Sequence, residues 1–130
     1  MLTNSATQRD FSRRVIAGNE DWNDMNVVAR RFGVTYGEVF LAGTQAQVVA
    51  QHPLLQGLTA LEMVPGNGIG FALEKGTVLA TADEVPAVAL LTYGDRGGQV
   101  LVLADVWMLA AGWDGANVAF WENLARWAGE

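Results

Sequence analysis

The least alternating stretches of the chain are AVALLTY at 87–93 and QVLVLAD at 99–105. A strand with one wet face alternates apolar and polar positions, so these nearly continuous valine and leucine runs predict strands covered on both faces inside a sheet. GDRGG, at 94–98, has the length and glycine content of a hairpin loop, which predicts an antiparallel pair. After an apolar link, VWMLAAG, the period changes: Phe120, Leu124 and Trp127 recur at i, i+4, i+7. This predicts a helix over about 116–128, with Glu122 and Arg126 as an outward pair, Asp114 or Asn117 at its start and Gly129 at its end.

Upstream, Met25, Val28, Ala29 and Phe32 share one helical face, with Arg30 and Arg31 in the last turn and Gly33 after it. A helix over about 23–32 follows. From Val34 onward, short β-type runs are broken by glycine and by His52-Pro53, including LTALEMV, PGNGIG, FALEKG and TVLATA. Residues 1–20 are polar, and Phe11, Val15 and Ile16 lie at spacings that suit a helical face; a terminal arm or helix is expected there. The fold class is therefore α/β: one domain spanning 1–130, with a mixed sheet of five to seven short strands flanked by two or three helices.

Composition narrows the function classes. A 51% hydrophobic and 17% charged chain of 130 residues lies well inside the folding range. Its net charge of −6 repels phosphate backbones and anionic lipid, so neither nucleic acid nor a membrane is expected as partner. Arg9, Arg13 and Arg14 gather near the start, where they read as a solvated face. No apolar run reaches the roughly 18 residues of a membrane span and no signal-peptide pattern opens the chain, so a cytoplasmic location is expected. The absence of cysteine removes a thiol nucleophile and a zinc-thiolate site.

What remains as candidate chemistry is sparse. His52 is the single histidine, and PGNGIG at 65–70 lacks the spacing and following helix of a dinucleotide loop, so it reads as a turn. No metal and no cofactor is expected. Asp105, at a buried strand's end, could pair with Asp95 or Asp114 or with His52 near an aromatic wall of Trp107 and Trp113; the plainer role is to cap the turn that follows. Four of the five tryptophans, Trp107, Trp113, Trp121 and Trp127, lie near the C-terminal end. Trp107, Trp113 and Asp105 are thus candidate binding residues. Trp121 and Trp127 fall on different helical faces, and both are candidates for an interface as well as for the core.

Three segments carry a family resemblance: HPLLQG at 52–57, YGDRGGQVLVLAD at 93–105 and NLARW at 123–127, preceded by DMNVVARRFGV. Over about residues 23–129 the chain resembles the C-terminal half of the class I glutamine amidotransferase-like superfamily, in its non-catalytic branches: ThuA-like proteins and the intraflagellar-transport-type domain. The resemblance implies a flavodoxin-like sheet. It carries over no triad, because the amidotransferase cysteine and late histidine have no counterpart here, and the opening βαβ units are not recognisable before Asp24. A missing half-domain, or a second copy in a homodimer, is expected to cover the sheet. Two functions follow as expectations: a non-catalytic binding or assembly domain, or a carboxylate-dependent hydrolase of a sugar-like substrate using Asp105 and His52.

Overall fold

The computed structural model of the chain describes residues 13–18, 22–64, 68–95, 97–109 and 115–129. Its strands are β1 (Arg13–Ala17), β2 (Val34–Leu41), β3 (Gln45–Val48), β4 (Ala60–Glu62), β5 (Gly68–Leu73), β6 (Thr77–Ala82), β7 (Val85–Tyr93) and β8 (Gly98–Leu103). The helices are α1 (Trp22–Ala29) and α2 (Gly115–Gly129), and 3-10 turns occupy Arg30–Phe32, Pro53–Leu55 and Val106–Leu109. Six strands form a mixed sheet in the order β1-β8-β7-β6-β3-β4, with β1 parallel to β8 and the other neighbours antiparallel. A second, two-stranded antiparallel sheet joins β2 and β5.

The apolar runs that predicted interior strands are β7 and β8, flanked by β6 and β1 respectively. Their hairpin closes as expected, with positive φ at Gly94 and Gly97 and Tyr93 facing Gly98. A Cβ on Gly98 would stand 2.8 Å from the Tyr93 ring, so the glycine makes room for that ring. Phe32 meets Tyr93 edge-on at 5.2 Å, and Arg14 Nε donates to the Tyr93 hydroxyl at 2.8 Å.

Three expectations change. The segment containing Val15 and Ile16 is not helical: it is β1, in register with β8 from Arg13 opposite Gln99 to Ala17 opposite Leu103. An isolated helix this short is marginal in water, whereas each ladder bond to an otherwise uncovered β8 contributes about 1 kcal/mol. Phe11 lies outside the described residues. In α1 the predicted apolar face is turned: Ala29 is buried and Met25 and Phe32 pack on the core, but Val28 is 48% exposed and its place is taken by Asn26. Finally, Asn117 does not cap α2; its amide reaches across to β4. Asp114 lies outside the described residues, as does 65–67 of the glycine-rich segment, whose Gly68, Ile69 and Gly70 belong to β5.

Both asparagines do the same work. Tyr36 N–H donates to Asn26 Oδ1 at 2.7 Å and Asn26 Nδ2 donates to the Tyr36 carbonyl at 2.8 Å, on the side of β2 away from β5. Glu62 N–H donates to Asn117 Oδ1 at 3.0 Å, and Asn117 Nδ2 reaches the carbonyls of Glu62 at 3.4 Å and Met108 at 3.5 Å. A side-chain amide from a helix thus pairs with both backbone groups of a strand residue, as a neighbouring strand would. Across the β2–β5 pair, Tyr36 and Phe71 meet edge-on at 5.6 Å, and Phe120, Leu124 and Trp127 pack α2 onto the core. Among the described residues no helix is long and apolar enough to cross a membrane.

Candidate ligand-binding site

The His52-Pro53 dipeptide builds a turn that borders two clefts of the described surface. Proline disfavours helical backbone at the residue before it, and His52 is extended, with Pro53 opening the 3-10 turn Pro53–Leu55. His52 Nδ1 accepts the Leu54 N–H at 3.1 Å, which leaves the ring proton of a neutral imidazole on Nε2. The His52 carbonyl accepts the Leu55 N–H at 2.9 Å, and Gly57 completes the bend at a φ of 81°. Leu54 and Leu55 are buried beneath, and Asn123 Nδ2 of α2 donates to the Gln56 carbonyl at 3.0 Å. The turn is therefore fastened at both ends and from below.

Two clefts open on either side of it. One, of about 470 Å³, is mainly apolar and lies between the turn and the end of β3, lined by Val48, Ala50, Leu55 and Leu58 among others. The second, of about 300 Å³, lies between the turn, the starts of β1 and β8 and the last turns of α2. His52, Pro53 and Gln56 line both. A shallower groove of about 320 Å³ continues the apolar cleft past Val49 and Thr59.

The second cleft is organised around Trp127. Arg13 lies over the Trp127 ring at 5.1 Å from its centroid, donates through Nε to Gln99 Oε1 at 3.0 Å and through Nη1 to the Trp127 carbonyl. Trp127 Nε1 donates to the same Gln99 oxygen at 3.2 Å. Arg126 donates to Asn123 Oδ1, so α2 orients an asparagine, an arginine and a tryptophan towards one place. Arg13, read from the sequence as part of a solvated face, is half-buried here and bonded to β8 and α2.

The sequence candidates are dispersed by this geometry. His52 lines both clefts, whereas Asp105 lines neither. Asp105 is 0% exposed where β8 ends; Oδ2 accepts the Val64 N–H at 3.3 Å, its carbonyl accepts the Met108 N–H at 3.1 Å, and Gly68 packs on its Cβ. Asp95 is exposed in the hairpin loop. Trp113 and the Trp107 side chain lie outside the described residues. Trp127, expected in part at an interface, is 5% exposed and serves the core and the second cleft, while Trp121 is 38% exposed and lines neither cleft. Sequence reasoning missed Gln56, Gln99, Asn123 and the role of Arg13. Only Asn123 and Arg126 carried a signal, as neighbours of Trp127 in NLARW.

No protein-family model and no curated protein matches the chain. Two solved structures share its architecture. The mmIFT52 N-terminal domain superposes with a TM-score of 0.65 at 13% identity, over 99% of this chain and 72% of that one. The cytoplasmic protein STM1381 from Salmonella typhimurium LT2 superposes with the same TM-score at 18% identity, over 96% of this chain and 61% of that one. What is shared is the fold. The intraflagellar-transport-type likeness read from the sequence thus has a counterpart in architecture. At these identities it extends to no ligand or activity.

Proposed function

We propose that this chain is a binding domain of amidotransferase-like type whose ligand occupies the two neighbouring clefts that share the wall His52, Pro53 and Gln56. The observation that supports it is the double-sided turn: one fastened segment, His52, Pro53 and Gln56, walls an apolar cleft and a polar one. Small-molecule sites are typically concave, mostly apolar, and supplied with a few fixed polar groups, in the volume range of about 300–1,000 Å³. Rigid support of the lining lowers the ordering cost of binding. The hydrolase reading has no comparable support, since Asp105 and His52 line no common cleft here.

The test is a fragment titration followed by amide chemical shifts, with benzamide and benzyl alcohol as neutral probes. Shifts should concentrate at His52, Gln56, Gly57 and Leu58, and Ala50→Phe, which fills the apolar cleft, should remove them while the far-ultraviolet circular dichroism stays unchanged. Shifts confined to other surfaces would count against the reading. Assembly belongs to the same proposal: β1 has β8 on one side and no strand on the other among the described residues, and a second copy of the chain is the partner we propose for that edge.

A further inference from the structure

We infer that the second cleft is an anion site, which takes the carboxylate or phosphate group of a small organic anion whose apolar body lies in the adjoining cleft. The inference deepens the binding role proposed above and rests on it. Its basis is the sign of the lining. In a chain of net charge −6, this cleft presents the guanidiniums of Arg13 and Arg126, the imidazole of His52 and the amides of Gln56, Gln99 and Asn123, and no carboxylate of the described residues lines it. Placing both guanidiniums at one depression concentrates positive potential against the field of the whole molecule.

The same groups have an internal task, and it does not exhaust them. The C-terminal end of a helix carries roughly half a negative charge, and Arg13 meets that of α2 by donating to the Trp127 carbonyl. Two full positive charges against about half a negative one leave the cleft cationic. Arg13 also spends one N–H on Gln99, and Arg126 spends one on Asn123, so each guanidinium keeps donors beyond these bonds. Arg13 is held in place by its stacking on Trp127 and by Gln99, which fixes the fork that carboxylate and phosphate oxygens accept from. The shared wall of His52, Pro53 and Gln56 then sets the length of the ligand: an anionic group on the Arg13 side, and a ring or short chain on the Leu55 and Leu58 side.

Phenyl phosphate, benzoate and benzyl alcohol, titrated into the full chain at low ionic strength, separate the possibilities. Phenyl phosphate or benzoate should move the Trp127 indole N–H and the His52 and Gln56 amides, and benzyl alcohol should bind about tenfold more weakly. The anion preferred over the other identifies the group as phosphate or carboxylate. Arg126→Gln, at an exposed helix position, should weaken the anion about fivefold and leave benzyl alcohol unaffected, with Arg126→Lys recovering part of the loss. Added salt should weaken the anion alone. Equal binding of benzyl alcohol and the anions, unchanged by Arg126→Gln, would overturn the anion site while sparing the binding cleft. Anion-induced shifts elsewhere on the surface would overturn it too, and no shift at either cleft with any probe would sink both readings.

Discussion

Tyr36 shows how much one side chain integrates. It is fully buried between β2 and β8, and its hydroxyl donates to the Leu103 carbonyl at 2.7 Å. Burial pushes the phenol well above its ordinary value of 10.0, because the phenolate would lose its hydration. A group whose pKa is raised on folding contributes stability that is intact below its unfolded value and is lost as pH rises towards the folded one. The protein should therefore weaken above about pH 10, where the unfolded tyrosine ionises first. Tyr36→Phe should cost about 1 kcal/mol at neutral pH through the lost hydrogen bond. Urea midpoints should show that difference shrinking above about pH 10 and reversing in sign by about pH 11, at roughly 1.4 kcal/mol per pH unit; a gap independent of pH would contradict the argument. Individual roles of this kind were the least legible in the sequence. Gln56 and Asn123 are 67 positions apart, and Arg13 and Gln99 are 86 apart, so nothing local to either residue announces its partner.

At the scale of elements, the asparagine brackets explain both a success and an error. The apolar runs of β7 and β8 and the period of α2 were readable because burial on two faces, or on one helical stripe, imposes a periodicity that few other arrangements produce. The rotation of α1 was not readable, since a polar Asn26 is preferred inside over Val28 only because the Tyr36 backbone needs its amide. β1 was misread for a related reason: five residues carry too little pattern to separate helix from strand, and the partner that decides is β8. Asn117 seals the outward backbone groups of Glu62 on edge strand β4. Asn117→Ala should destabilise the fold by about 2 kcal/mol, leaving those groups unpaired. Asn117→Asp, which sets a carboxylate against the Glu62 and Met108 carbonyls, should be at least as damaging, as urea denaturation of both variants can show.

For the whole molecule, the two ends of the six-stranded sheet are unlike each other. The β4 end carries its own amide seal, whereas β1 has no further strand beside it among the described residues. Strand edges left open invite pairing. Light scattering at high micromolar concentration should give twice the chain mass of 13.9 kDa if the proposed second copy joins there. A monodisperse monomer would remove the assembly proposal and leave the ligand clefts untouched.

The pairing of β1 with β8 also bears on how the protein is made. Arg13 must wait for Gln99, 86 residues later, before its ladder can form. At ribosomal speeds of about 5–20 residues per second, that interval lasts roughly 4–17 s. Throughout it the hairpins of the middle of the chain can close, while β1 has no strand to join. The growing polypeptide therefore passes through a stage in which β1 is exposed to chaperones, and the sheet is completed only after its core hairpin has left the exit tunnel.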